Sequence, residues 1–205
     1  MLFRASLLTA LAVLLPAAAA RAQHEPAPVS GSSGDNPVVV IETSRGAITV
    51  ELFPEQAPLT VANFLQYVDD GHYADTIFHR VIAGMIIQGG GLTPEGEEKP
   101  TRKPIRLESD NGLLNVRGSI AMARSAEKDS AMAQFYINVG DNPEFDRGAQ
   151  RFGYTVFGRV TEGMAVVDRI SKVQTSRRAN FDDIPILPVF IDKVRRAPAP
   201  ASETP

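Results

Sequence analysis

Short apolar segments separated by turns recur along the chain, and this pattern restricts the possible folds more than any other feature. The first, Val38–Thr43, is rich in β-branched residues and is followed by the turn Ser44-Arg45-Gly46. Residues 47–53 then alternate between apolar and polar side chains, which predicts a half-buried strand that pairs back on the first. Six later segments are also expected to be strands, namely residues 77–82, 86–88, 119–123, 134–139, 154–160 and 189–194.

Two other segments have the spacing of a helix. The first follows Pro58 and ends near Gly71, a residue type common just beyond a helix end. Its apolar residues are Val61, Phe64, Leu65 and Val68. The second is predicted over residues 164–173. Many short strands with two isolated helices predict a mostly antiparallel barrel or sandwich, and the periodicity alone leaves both open.

The first 22 residues are not expected to belong to the fold. A positive charge at Arg4 precedes an apolar run over residues 7–15, and Ala20-Arg21-Ala22 places small residues where a signal peptidase reads the chain. A membrane anchor is the alternative, but the run is shorter than the about 20 residues that span a bilayer. We therefore expect a signal peptide over 1–22, cleavage after Ala22 and a periplasmic location. The absence of Cys at this site excludes a lipoprotein anchor.

The remaining composition indicates one domain with two tails. Residues 23–37 and 197–205 are rich in Pro, Ala and Ser, so we expect a flexible linker, a folded domain over 38–196 and a disordered tail. The chain has no Cys, which avoids mispaired disulfides after secretion. Loss of Arg4 and Arg21 with the signal peptide takes the formal net charge from −3 to −5. This mildly acidic balance predicts no nucleic-acid partner and no membrane contact after cleavage, and we expect a monomer.

Four motifs in the middle of the chain carry the information about function. In order, they are residues 78–82 (FHRVI) with 87–90 (IQGG), residues 118–123 (GSIAMA), residues 134–137 (QFYI) and residues 152–160 (FGYTVFGRV). Together, and in this order, they resemble the signature segments of the cyclophilins over residues 38–194. Residues 125–131 and Tyr154 are similar to the bacterial secreted branch of that family.

This resemblance implies both a fold and an activity. The fold would be mostly β, an eight-stranded antiparallel closed β-barrel capped by two α-helices, with the active groove on its outer face. The activity would be peptidyl-prolyl cis-trans isomerisation of unfolded or partly folded proline-containing polypeptides during the folding of exported proteins. The count of strands and helices from periodicity agrees with this fold.

The chemistry of that reaction indicates which residues to look for. Rotation about an X-Pro amide is opposed by a barrier of about 18–20 kcal/mol, and no bond is broken, so we expect no nucleophile, metal or cofactor. A fixed cation that donates hydrogen bonds near the amide nitrogen stabilises the twisted state over the planar one. Arg80 is the candidate for this catalytic donor, the alternative being a surface arginine in an ion pair. By resemblance, Gln88 and Gln134 orient the arginine or contact the substrate backbone.

The proline ring requires an apolar pocket. The positions that line it by resemblance are Met85, Ile86, Tyr136, Phe145 and Tyr154, and the alternative is that they are ordinary core residues. Ala123 and Arg124 match a stretch that binds substrate through its main chain, so no role is implied for the Arg124 side chain. Phe135 is expected in the core. His79 is expected to face the barrel interior, opposite Arg80, because neighbouring strand residues point to opposite faces.

Several positions depart from the family pattern. The family usually has Phe where this chain has Met85 and Tyr136, and His where it has Tyr154. Glu144 falls where many members carry the Trp that helps to bind cyclosporin, so we expect weak cyclosporin binding. These departures keep open an alternative function, a proline-binding chaperone module of the same fold with little or no turnover.

Other functional classes find little support. The chain has three His, no G-x-S-x-G turn and no Cys, which argues against a hydrolase. His72 and His79 lack the i, i+4 spacing of a helical metal site. No Lys-Ser/Thr pair follows Gly89-Gly90-Gly91, so these glycines do not form a phosphate-binding P-loop.

Overall fold

The computed structural model describes residues 36–178 and 181–198. The predicted signal peptide and most of the predicted linker and tail lie outside these residues. The strands are β1 Val38–Thr43, β2 Gly46–Leu52, β3 Thr76–Ile82, β4 Ile86–Gly89, β5 Ser119–Met122, β6 Phe135–Asn138, β7 Val156–Glu162, β8 Thr175–Arg178, β9 Phe181–Pro185 and β10 Phe190–Arg196. The helices are α1 Pro58–Asp69 and α2 Met164–Ile170, with a short 3-10 turn at Pro143–Phe145.

Eight of the strands close into a barrel. Their order is β1-β10-β3-β4-β6-β5-β7-β2, every neighbouring pair is antiparallel, and β2 pairs with β1 to complete the ring. The predicted eight-stranded antiparallel closed β-barrel with two helices is therefore confirmed, and the sandwich alternative is wrong.

Period-two alternation separates the barrel interior from its outer face. On β6, Phe135 and Ile137 belong to the large interior cluster, whereas Tyr136 between them belongs to a smaller cluster on the outside. The expectation that Phe135 is a core residue is confirmed. Helix α1 covers the interior with Phe64, whose ring lies 5.8 Å from that of Phe135 and 5.1 Å from that of Phe157.

A buried carboxylate caps α1. Ala57 at its N-terminus supplies no side-chain hydrogen bond. Glu108 instead accepts hydrogen bonds from the Leu59 N–H at 3.1 Å, the Thr60 N–H at 2.9 Å and the Thr60 hydroxyl at 2.8 Å. A negative charge here satisfies free N–H groups and complements the positive end of the helix dipole. Through these hydrogen bonds, Glu108 connects the long loop between β4 and β5 to the N-terminus of α1.

Two elements differ from the sequence predictions. Helix α2 ends at Ile170 instead of residue 173, because the N–H groups of Lys172 and Val173 bond to carbonyls only three residues back, as in a tightening last turn. Strands β8 and β9 form a hairpin outside the barrel that periodicity did not indicate. Neither helix among the described residues is long and apolar enough to cross a bilayer.

Candidate active-site groove

Arg80, Gln88 and Tyr136 stand in one row across three neighbouring strands. In the ladder, Arg80 of β3 pairs with Gln88 of β4, and Gln88 pairs with Tyr136 of β6, so the three side chains leave the sheet on the same outer face. Arg80 is exposed, and its guanidinium makes no hydrogen bond or ion pair with another residue in the described ranges. A charge without a protein partner is available to a ligand in the groove.

A bulge in β3 also brings His79 to this face. The register shifts between Phe78 and Arg80, so Phe78 keeps its place in the interior while His79 and Arg80 line one depression of about 370 Å³. Burial lowers the pKa of His79 to about 4, despite hydrogen bonds to Ile77 and Gln134 that act in the opposite sense. The prediction that His79 faces the barrel interior is therefore wrong, because a bulge breaks the period of two. The ring is neutral at pH 7 beside the arginine.

The two glutamines link this depression to a second one. Gln88 Nε2 donates to Gln134 Oε1 at 2.9 Å, and both side chains line the His79 depression and a neighbouring depression of about 330 Å³. The Gln134 side chain packs directly on Gly91, where an added Cβ would overlap it. A glycine at 91 therefore leaves room for the glutamine.

Aromatic rings form the apolar part of the groove. Tyr136, Phe145 and Tyr154 meet edge to face, with centroids 5.7 Å apart for Tyr136–Phe145, 5.7 Å for Tyr136–Tyr154 and 5.3 Å for Phe145–Tyr154. We call these three rings the aromatic pocket. Ile86 is buried in the same outer cluster, and Met85 and Ala123 pack against it. The structure thus brings together every residue proposed for the proline pocket, outside the barrel core.

A polar network beneath the aromatic pocket fixes its rings. Burial raises the pKa of Tyr136, so its hydroxyl stays protonated and donates to Asn115 Oδ1 at 2.7 Å. Asn115 Nδ2 donates to Asp146 Oδ1 at 2.9 Å, and Asn138 Nδ2 donates to Asn115 Oδ1 at 3.3 Å. Asn142 Nδ2 donates to the Met85 carbonyl at 3.0 Å. Sequence reasoning missed these asparagines: Asn115 and Asn142 lie in loops, which carry no periodic signal, and the place of Asn138 at the end of β6 does not show which partners its side chain meets.

Ala123 and Arg124 border the second depression. The Ala123 N–H donates to the Gln134 carbonyl at 3.0 Å, which extends the pairing of β5 with β6 by one residue. Glu144 lies in the exposed 3-10 turn next to Phe145 of the aromatic pocket. Glu144, the residue expected at the indole position, is thus a solvent-exposed carboxylate.

Two acidic side chains near Arg80 were not foreseen. Glu98 and Asp182 line the same depression as Arg80, and Asp182 comes from the β8–β9 hairpin, where it also pairs with Arg177 at 3.1 Å. The hairpin therefore forms one wall of the groove. Among the residues that the structure describes, no group of three or more His, Cys, Asp or Glu could hold a metal ion.

The groove offers three chemical features. A guanidinium without a hydrogen bond or ion pair among the described residues shares one face of the sheet with an apolar aromatic pocket. Two hydrogen-bonded amides line both the Arg80 depression and the second depression. This arrangement can hold an apolar ring and donate hydrogen bonds to an adjacent amide, and it presents no nucleophile paired with a base.

Comparison with known proteins agrees with this geometry. The family model described as "Cyclophilin type peptidyl-prolyl cis-trans isomerase/CLD" matches residues 38–196. Peptidyl-prolyl cis-trans isomerase A of Dickeya dadantii is 48% identical over 157 residues, 77% of this chain and 83% of that protein. Peptidyl-prolyl cis-trans isomerase B of Escherichia coli is 46% identical over 160 residues, 77% of this chain and 98% of that protein.

A solved structure of another protein has the same fold. The crystal structure of a Cryptosporidium parvum cyclophilin type peptidyl-prolyl cis-trans isomerase superposes with a TM-score of 0.67 at 26% identity, covering 80% of this chain and 99% of that one. With the closed barrel and its outer groove, these matches show that the chain belongs to the cyclophilin family and is a peptidyl-prolyl cis-trans isomerase.

Proposed function

We propose that Arg80 stabilises the twisted X-Pro amide while the aromatic pocket holds the proline ring. The observation that carries this proposal is the row formed by Arg80, Gln88 and Tyr136. This row puts a guanidinium that has no hydrogen bond or ion pair within the described ranges on the same face of the sheet as an apolar pocket. In the twisted state the amide nitrogen becomes pyramidal and basic, so a donor aimed at it binds that state more tightly than the planar one. The mechanism transfers no atom and requires no cofactor.

The other residues have supporting roles in this proposal. Gln88 and Gln134, joined by their 2.9 Å hydrogen bond, offer polar groups to the substrate backbone next to Arg80. Met85 and Ile86 complete the apolar lining around the aromatic pocket, and Ala123 and Arg124 lie beside the segment that precedes the proline. His79 takes no part as a base or acid at pH 7, because the proton of an imidazolium with a pKa of about 4 is already lost.

A protease-coupled assay on a short Ala-Pro peptide tests these roles, using the chain from Gln23 onward. We expect the wild type to accelerate exchange, and Arg80→Ala to lower kcat/KM on the order of 10²–10³, as for other donors aimed at a transition state. Arg80→Lys should recover only part of this loss, because an ammonium lacks the planar fork. Met85→Ala is the matched contrast in the pocket, and it should raise KM more than it lowers kcat. Exchange at the spontaneous rate with the wild type would instead favour a binding module that turns its ligand over poorly.

We also propose that the enzyme acts in the periplasm, as a monomer, on proline-containing segments of exported proteins. The support is the leader-like sequence of residues 1–22 and the absence of a Lys/Arg run for nucleic acid or anionic lipid. Fractionation of bacteria that express the full chain, with N-terminal sequencing and sedimentation analysis, tests this. A periplasmic monomer that begins at Gln23 is expected, whereas a cytoplasmic product that retains residues 1–22 would contradict it.

A further inference from the structure

The Arg124 side chain lies directly over one ring of the aromatic pocket. Its guanidinium carbon is 4.6 Å from the centroid of the Tyr154 ring, well inside the range of a cation–π contact. The positive charge and the flat guanidinium therefore cover a face of Tyr154.

Hydrogen bonds hold the guanidinium in this position. Nε donates to the Gly153 carbonyl at 2.9 Å, and Nη1 donates to the Ser125 carbonyl at 2.9 Å. Gly153 directly precedes Tyr154 and has φ +66°, and a Cβ there would lie 2.5 Å from the Arg147 backbone nitrogen. Arg124 thus contacts both the ring and the backbone turn next to it, a turn that only glycine can adopt without strain. A planar fork can stack and donate at the same time, whereas a lysine ammonium cannot do both.

The Arg124 contact adds to the packing that positions the Tyr154 ring. Its ring meets Phe145 at 5.3 Å and Tyr136 at 5.7 Å. Tyr136 is held by its hydrogen bond to Asn115, but the Tyr154 hydroxyl makes no hydrogen bond with another residue of the described ranges. The Tyr154 N–H donates to the Phe145 carbonyl at 2.9 Å, which fixes the main chain. The ring itself is held by packing in the outer cluster, with Phe145 and Tyr136 as its aromatic neighbours, and by the Arg124 guanidinium.

We propose that Arg124 is a positioning residue of the substrate site, whose side chain holds Tyr154 against Phe145 and Tyr136 and so fixes one wall of the proline pocket. This inference rests on the proposed role of the aromatic pocket. The proline ring occupies the pocket in both the planar and the twisted states. Loss of the clamp weakens both states equally, which raises KM and leaves kcat unchanged.

The test compares the kinetic constants of three single variants. Arg124→Ala is expected to raise KM about three- to tenfold with kcat within about twofold of wild type, the scale of one cation–π contact and its hydrogen bonds. Arg124→Lys should lie between Arg124→Ala and wild type. Arg159→Ala is the matched control, because Arg159 also lies over a ring, 5.9 Å from that of Phe53, but is paired with Glu51 away from the groove. It should leave KM and kcat unchanged.

A double-mutant cycle with Tyr154→Ala shows whether Arg124 acts through the ring. In the Tyr154→Ala background, Arg124→Ala should raise KM by less than about twofold. Near-ultraviolet circular dichroism gives a second readout, because the chain has four Tyr and no Trp. Arg124→Ala should weaken the tyrosine band of the free enzyme, and Arg159→Ala should not.

Three results would overturn the proposal. They are an unchanged KM in Arg124→Ala, an equal fall in kcat and kcat/KM, or a KM increase that persists in full without Tyr154. Each of these leaves the wild type active, whereas an inactive wild type would remove the proposed function itself. If Arg124→Ala does not fold, Arg124→Lys carries the same test.

Discussion

Tyr136→Phe removes one buried hydroxyl and leaves the ring in place. The hydroxyl donates to Asn115 Oδ1 at 2.7 Å, and Tyr136 is only 2% exposed, so water cannot replace the lost donor. A buried polar group left without its partner costs about 1–3 kcal/mol. Asn115 Oδ1 keeps a longer bond from Asn138 at 3.3 Å, so we expect the lower part of this range, about 1–2 kcal/mol.

Urea unfolding monitored by circular dichroism measures this loss. The midpoint should fall with no change in slope, and the melting temperature should drop by roughly 2–8 °C for a domain of this size. The activity should change little, because the Phe ring still packs against Phe145 and Tyr154.

Tyr154→Phe is the matched control. It removes a hydroxyl from the same aromatic pocket that makes no hydrogen bond within the described ranges, so its stability should stay within about 0.5 kcal/mol of wild type. Equal stabilities of Tyr136→Phe and Tyr154→Phe would refute the claim that the asparagine network anchors the pocket.

Three further predictions concern the helix cap, a histidine and an inhibitor. Glu108→Gln removes the charge that caps α1, so urea unfolding should show a free energy of unfolding lower by about 1–2 kcal/mol. Glu95→Gln, on an exposed loop, is the control and should have no effect. Burial lowers the pKa of His79 in the folded chain, so the unfolded chain takes up this proton at a higher pH, and stability should fall as the pH drops from 6.5 to about 4. His79→Gln should flatten part of that slope. The rest of the slope includes His72, whose pKa burial also lowers. Calorimetric titration should show weak cyclosporin binding to the wild type and tighter binding to Glu144→Trp; equal affinities would mean that residue 144 does not occupy the indole position.

Regular alternation explains which parts of the fold could be predicted from the sequence. Barrel strands that place every second residue in the core, such as Val38–Thr43, can be recognised as strands from the sequence itself. The β8–β9 hairpin lies outside the barrel, and its exposed Ser176, Arg177 and Asp182 show no apolar period.

Only part of the groove could be predicted from the sequence. The motifs located Arg80, Gln88, Tyr136 and Tyr154, because these lie within short segments that resemble the family. Met85, Ile86 and Phe145 were placed by their positions relative to those segments. They could not locate Asn115 or Asp182, which reach the groove from loops and a hairpin far away in the chain. His79 shows the limit of period-two reasoning, because one extra residue in β3 reverses the face on which a side chain lies. The Arg124 contact depends on Gly153, which is 29 positions away.

We propose that Arg80 acts on the twisted amide and not on the bound ground state. The most direct measurement determines, by NMR, both the dissociation constant of an X-Pro peptide and its exchange rate when fully bound, for wild type and Arg80→Ala. We expect the dissociation constant to change less than about threefold while the bound exchange rate falls on the order of 10²–10³. A near-normal exchange rate in a folded Arg80→Ala enzyme, or a loss carried wholly by weaker binding, would contradict this mechanism.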